Sequence, residues 1–432
     1  MIPLEEVQGL TGRACAPLGS VVLDLAQAVG CVLAAPAVAS VDVPPFANSA
    51  MDGYAVRAAD TVDAPATLDV VGRVLAGATL DTAVGPGQAA RIMTGAPVPA
   101  GADAVCMVER TRLAGGDGKV VVEAVVEAGE NVRNPGGDVR CGEVVLDPGA
   151  EIGPTQLAAL VSAGCATVEV HPRPRVGVIS TGDELVDPGT PLGPAQIYDS
   201  NRPMLLSLVA ESGCRPVDLG RSGDDEAALA ARITHALGDV DVLVLSGGVS
   251  VGDVDVVRMV LDRLGGAATH WMQIAIRPAK PFSFSVLQGS GRPVPVFGLP
   301  GNPVSSAVSF ELLVRPALRK MAGHRMTGRP RVVARAVAPL RRHPDGRTHF
   351  VRVQLSTGDV ETPLAPGRRA RSRSEHPWSV RPCPGQGSHQ IRSMGLADGL
   401  AVLTDGEGVD VGELVEVIVT NPALAVAFVG AP

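Results

Sequence analysis

The spacing of apolar positions changes character several times along this chain. Over the first forty residues, LEEVQGL and VVLDLAQAVGCVLA carry apolar side chains at helical spacing, which predicts helix. From Val41 to about Asp138 the pattern breaks into short β-rich runs, ATLDVVGRVLA, QAARIMTG, DAVCMVER and KVVVEAVV, separated by glycine-rich turns at 85–87 and 114–118. This stretch reads as a β lobe inserted between two pieces of a helical segment. The second piece is GPTQLAALVSAG, 153–164, where Gly153-Pro154 opens a helix and Gly164 closes it.

From about Pro174 strands and helices alternate. RVGVIS (175–180), RPVDLG (215–220), DVLVLSGG (241–248) and PVPVFGLPG (293–301) read as strands. The helices between and after them are 203–213, 224–237, 254–265 and 304–318. Such alternation implies a parallel sheet with helices on both faces, and ligands then belong in the loops that follow the strands. After His324 the pattern returns to β runs, RVVARAVAPL, THFVRVQL, GLAVLTD and ELVEVIVT. The expected class is α/β and multidomain. A helical linking part covers 1–40 and 139–173, the β lobe 41–138, a central α/β domain of mostly parallel sheet 174–326, and a C-terminal β-barrel-like domain 327–432.

Composition narrows the function. At 432 residues the chain is too long for one core, since domains average about 150 residues. Glycine (51) and proline (36) make about a fifth of it, against a usual share of about 12%, so many turns join short elements. Eleven aromatics and a net charge of −8 leave no stacking platform or basic surface for nucleic acid. The seven cysteines are scattered without a C-x-x-C pair, which argues against a disulfide framework or a cysteine zinc site. An acidic N-terminus and the lack of any apolar run near 18 residues predict a cytoplasmic protein with no membrane segment. Between Pro366 and Pro384 lies GRRARSRSEHPWSVRPC, with five arginines and no hydrophobic period; 367–383 is expected to be a solvated loop outside the C-terminal core.

The candidate chemistry sits after the strands of the α/β domain. Strand 175–180 runs into STGDELVDPG, 215–220 into RSGDD, 241–245 into SGGVSVGDVD, and 293–299 into LPGNPVSS. On a parallel sheet these loops leave from one edge, bringing Glu184, Asp224, Asp253 and Asp255 toward one crevice beside glycine-rich turns. Carboxylates that face a phosphate need a cation between them, so a Mg²⁺-bridged phosphate is the expected ligand. Taken singly, each loop could equally be a turn and helix cap. Two polar stretches in the β lobe, VDVPPFANSAMDGYAVR (41–57) and RIMTGAPVPAGADAV (91–105), stand out as neither good strand nor good helix.

At these residues the chain resembles the molybdopterin molybdenumtransferases, bacterial enzymes related to the E domain of gephyrin. The resemblance runs in order through NSAMDGYAVR (48–57), RIMTGAPVPAGADAV (91–105), NVRNPGGDV (131–139), ISTGDELVDPG (179–189), YDSN (198–201), LSGGVSVGDVD (245–255), RPAKPF (277–282), LPGNPVSS (299–306) and GQGSH (385–389). It implies cleavage of adenylylated molybdopterin with Mg²⁺ as cofactor, uptake of molybdate, and release of AMP and molybdenum cofactor. It also implies an elongated homodimer in which Asp52, Thr94 and Asp138 of one subunit's β lobe line the cleft of the other. Within the α/β domain it implies Glu184, Asp224 and Asp255 as catalytic and metal residues, with Asp183 and Asp253 as turn residues. Ser180, Thr181, Gly182, Ser246, Gly247, Gly248 and Gly301 are implied to meet the substrate; Gly298 would let the backbone approach it, and Pro300 and Pro303 shape the wall. The anion-binding wall is implied at Gln273, Arg277 and Lys280; here Gln273 replaces a cation and Arg277 a lysine common in the family. The alternative is a non-catalytic scaffold that binds molybdopterin, and a further one is the preceding adenylylation step.

Overall fold

The computed structural model describes the chain apart from residues 115–117, 250–255, 358–376, 405 and 426–432. Asp253, Asp255 and four of the five arginines of the 367–383 stretch lie outside the described residues. The chain falls into two compact units, Met1–Ser20 with His171–Pro432, and Val21–Val170.

In the smaller unit the expected lobe is a six-stranded sheet. Its order is Ala104–Met107, Gly53–Val56, Gln88–Ile92, Ala66–Val74, Lys119–Val122, Thr111–Leu113. Alternate side chains of these strands fill two small cores, one around Tyr54, Leu68, Val120 and Val122 and one around Ala55, Val74, Ala90 and Ile92. The helix Pro154–Ser162 begins with Gly153 at its N-cap and proline in its first turn. The expected helix over 21–34 is corrected. Val21–Asp24 is a strand paired antiparallel with 167–170, and only Leu25–Ala28 makes a helical turn. A β-branched Val-Val pair has little intrinsic hold on a helix, and a strand distant in sequence supplies the ladder.

In the larger unit a six-stranded sheet runs Arg215–Ser222, Arg175–Thr181, Val242–Ser246, Pro293–Leu299, Pro281–Gln288, Thr269–Gln273. The first four strands are parallel, and the last two are antiparallel additions at one side. Successive residues point to opposite faces. Val178, Val242 and Val244 enter a core with Leu205, Val209 and Val304, whereas Ile179, Leu243 and Leu245 enter another with Leu229, Ile233, Val257 and Val260. Burial on both faces is why these strands read as continuous apolar runs.

The helical stretch from Pro303 to Met321 widens at Phe310–Val314, just before Pro316. Proline has no N–H to offer the Leu312 carbonyl. Gln8 Nε2, on the N-terminal helix Leu4–Ala14, donates to that carbonyl at 2.9 Å instead, which fixes this helix to the larger unit.

The C-terminal β runs close into a five-stranded barrel of Thr348–Thr357, Trp378–Pro382, Arg331–Ala336, Leu414–Val419 and Gly399–Leu403, the last pairing back onto 349–353. Trp378–Pro382 corrects the solvated-loop expectation for 367–383 in its described part. It pairs with two neighbours, and Val380 and Cys383 are 1% and 2% exposed. The segment is short, bounded by prolines and interrupted by an arginine, so it carries no local strand period. Among the described residues, no helix is long and apolar enough to cross a membrane.

Candidate active site

The parallel strands put the ends of Arg175–Thr181, Arg215–Ser222, Val242–Ser246 and Pro293–Leu299 at one sheet edge. The four loops touch there. The Gly182 amide donates to Ser222 O at 3.1 Å and the Gly247 amide to Leu299 O at 3.0 Å. Thr181 Oγ1 donates to Ser246 O at 3.3 Å. Two glycines are required by the backbone conformation here. At Gly247, φ is +105° and a Cβ would come within 2.6 Å of Thr181 Oγ1; at Gly182, φ is +141° and a Cβ would meet the Glu184 carboxylate at 2.3 Å.

Glu184 therefore lies folded over Gly182, with its carboxylate at the edge and exposed. Asp224 stands on the neighbouring loop, also exposed. Asp183 behaves as the expected turn residue, its Oδ1 accepting from the Asp224 amide at 3.1 Å. Beside these groups is a notch of about 260 Å³, lined by Gly182, Asp183, Leu185, Arg221, Ser222 and Gly223. Gly301 reaches the same edge, with Gly247 Cα 3.8 Å from where its Cβ would be, while Gly248 follows Gly247 on the loop. Gly298 is buried, and a Cβ there would strike Ser283 Oγ at 2.1 Å. Pro300 is buried and Pro303 starts the following helix. Gln273 and Arg277 are exposed and Lys280 half-buried.

Two of the expected contact residues turn inward. Ser180 is fully buried and donates to Asp199 Oδ2 at 2.5 Å. Ser246, 2% exposed, accepts from Asn201 Nδ2 at 2.8 Å, and the same amide nitrogen donates to Gly301 O at 2.7 Å. Their hydroxyls thus serve the loops rather than facing the crevice. Strand alternation decides the side, and a serine at a strand end gives no sign of which way it points.

In the smaller unit Asp52 and Thr94 meet. Asp52 Oδ1 accepts from both the amide (2.7 Å) and the hydroxyl (2.8 Å) of Thr94. These two donors, the amide first, hold the Asp52 carboxyl below the usual carboxylate range, with Arg91 adding a smaller pull. Asp52, Thr94 and Asp138 are all exposed. The turn carrying Asp52 follows Asn48–Ser49, which pairs with Val132–Arg133 ahead of Asp138.

Arg352 escaped the sequence reading. It is the largest fully buried side chain, and its Nη2 donates to Gly385 O (3.0 Å) and Gly387 O (3.2 Å) of the GQGSH turn. Its Nε and Nη1 have no partner among the described residues. Burial pulls the guanidinium below its ordinary value. Three N–H groups on Nε and Nη1 are thus left unpaired among the described residues. The signal that could have found it is an arginine inside the apolar run THFVRVQL.

Comparison with known proteins gives the same picture. The MoeA N-terminal region (domain I and II) matches residues 2–164, a probable molybdopterin binding domain 177–320, and the MoeA C-terminal region (domain IV) 335–420. A molybdopterin molybdenumtransferase of Haemophilus influenzae is 38% identical over 308 residues, covering 71% of this chain and 74% of its own. Molybdopterin molybdenumtransferase 1 of Mycobacterium tuberculosis is 33% identical over 439 residues, covering 96% and 98%. A crystal structure of a molybdopterin biosynthesis MoeA protein from Pyrococcus horikosii superposes with a TM-score of 0.76 at 32% identity, over 97% of this chain and 99% of that one. Three regions matched in order, and relatives at these identities over most of their own length, show that the chain belongs to the molybdopterin molybdenumtransferase family.

Proposed function

We propose that this chain inserts molybdenum into molybdopterin, taking adenylylated molybdopterin and molybdate as substrates and releasing AMP and molybdenum cofactor. The observation that carries the reading is the sheet edge, where glycine turns let the backbone approach a ligand and exposed Glu184 and Asp224 stand on adjacent loops.

Mg²⁺ is the cofactor of this proposal. Among the described residues no three candidate ligands form a preformed cage. The donor set still fits, because Mg²⁺ commonly takes one or two carboxylates and completes its shell with water and substrate phosphate. Glu184 and Asp224 would hold it, with Asp255 on the SGGVSVGDVD loop as the third candidate. When bound, the ion would neutralise the charge of the phosphoanhydride as that bond breaks. The protein's own contribution is to hold the two carboxylates outward, through the Gly182 turn and the Asp183 cap, and to offer amides at the glycine turns to phosphate oxygens. Arg277 and Lys280 supply positive charge for molybdate or phosphate.

The proposal extends to a cytoplasmic homodimer in which Asp52, Thr94 and Asp138 act on the substrate held by the other subunit. The test is to incubate the purified protein with adenylylated molybdopterin, molybdate and Mg²⁺, following AMP release and activation of an apo-molybdoenzyme. Both should appear, and neither without Mg²⁺. Mixing inactive Asp52→Ala and Asp224→Asn proteins should restore part of the activity once heterodimers form. No recovery in proven heterodimers would confine both residues to a site built by one chain.

A further inference from the structure

Between the end of strand Arg175–Thr181 and helix Asn201–Glu211 the chain makes an excursion, 182–200, which carries Glu184 at its root. Its regular backbone pairing is slight, two residues on each side: Leu185–Val186 runs parallel with Ile197–Tyr198. So little ladder cannot fix a loop by itself. What ties it to the sheet is a chain of charged groups. Arg202 makes three contacts with different carboxylates, Nε to Asp199 Oδ2 at 3.1 Å, Nη1 to Asp218 Oδ2 at 2.6 Å and Nη2 to Asp187 Oδ1 at 2.5 Å. Arg221, at the end of the neighbouring strand, donates its Nη2 to the other Asp187 oxygen at 3.3 Å and its Nη1 to Leu185 O. Asp199 is 1% exposed and is bound from below by Ser180.

We propose that Asp187, Arg202 and Arg221 form a clamp that positions the Gly182–Val186 turn, and through it the Glu184 carboxylate, against the loop of Asp224. The consequence for the metal rests on the function proposed above; the clamp itself does not. Its two arginines reach Asp187 from different elements, a helix and a strand end, so the loop is located relative to both. Arg221 also lines the notch beside Gly182 and Gly223, so its grip on Leu185 O sets the wall of that notch. Burial opposes the charge on Arg202, yet its hydrogen bonds to Asp218 and Asp199 hold its guanidinium above its ordinary value, as a fixed cation shared by carboxylates should be. None of the three residues reaches the reacting atoms in this reading; they are positioning residues.

The test uses the full-length protein and two variants, Asp187→Asn and Arg221→Gln, with Asp187→Glu as the conservative control. Amide hydrogen exchange is measured over 182–199 without ligand. Loss of half-exposed ion pairs should speed exchange there about three- to tenfold and leave the strand cores unchanged. The Mg²⁺ concentration for half-maximal AMP release should rise about tenfold, the usual scale for a group that orients a metal ligand. Asp187→Glu should bring both measures back toward the wild type. Unchanged exchange in both variants would overturn the clamp, as would faster exchange with an unmoved Mg²⁺ requirement. Should the wild type itself be indifferent to Mg²⁺, the metal reading falls, and the clamp stands or falls on the exchange rates.

Discussion

The sheet edge and the barrel handle charge in opposite ways. At the edge, Glu184 and Asp224 stand exposed on loops, open to solvation by water. In the barrel, Arg352 is sealed from solvent with two nitrogens unpartnered among the described residues. A second arginine separates burial from pairing. Arg329 is nearly as deeply placed, its side chain 4% exposed, yet Nε and Nη2 grip both Glu311 oxygens at 2.8 and 2.7 Å and Nη1 reaches Glu211 at 2.5 Å. Although burial opposes it, this pairing holds the Arg329 guanidinium above its ordinary value, whereas burial without a carboxylate lowers that of Arg352. The lesson is that burial alone does not make a charge structural. A guanidinium paired with carboxylates is held charged by them, and one bonded only to carbonyls is left with the cost of burial.

The largest expected effect tests that distinction. Arg329→Met removes both short hydrogen bonds from Glu311, 5% exposed, and leaves it Arg315 Nε at 4.0 Å, so it should cost about 3 kcal/mol in urea unfolding. A loss under 1 kcal/mol would show that the Glu311 pair contributes little.

At the edge the cost should fall on activity instead. Glu184→Gln keeps the shape of an exposed side chain and removes its charge, so kcat should drop about 100-fold, equivalent to ~2.7 kcal/mol of transition-state stabilisation, with the melting temperature moving by less than about 1 °C. A thermal loss in place of a kinetic one would make Glu184 part of the loop's architecture.

Arg352→Met should be much milder than Arg329→Met. Replacing an unpaired buried cation with an apolar chain of similar length is close to neutral, and the loss of its two bonds to Gly385 and Gly387 should cost about 1 kcal/mol. Equal destabilisation by the two variants would break the comparison.

The smallest effect is a pH dependence at another buried base of the barrel, His349. Burial pushes the His349 imidazole below its usual value, partly opposed by Asp345, whose Oδ1 lies 3.0 Å from Nε2. The folded state thus binds a proton less readily than the unfolded chain. The resulting stability is present above the ordinary histidine range and is lost as pH falls through it toward the lowered folded value. Thermal melts at pH 7.5 and 5.5 should differ less in His349→Gln than in the wild type.

Much of the α/β domain was legible along the chain because its signals are local. A strand buried on both faces shows as a short apolar run, and a glycine with carboxylates after it shows as a loop. The parallel topology then puts Glu184 and Asp224 on adjacent loops, and the lobe and barrel runs follow from the same reasoning. Three things needed the tertiary structure. Val21–Asp24 became a strand, and Trp378–Pro382 joined the barrel, because partners far away in sequence supplied their hydrogen bonds. The hydroxyls of Ser180 and Ser246 turned inward because Asp199 and Asn201 met them there. The sharing of Asp187 between Arg202 and Arg221, and the bonding of Arg352 to backbone carbonyls, depend on which groups the fold brings within about 3 Å, and a linear pattern of charges does not encode that distance.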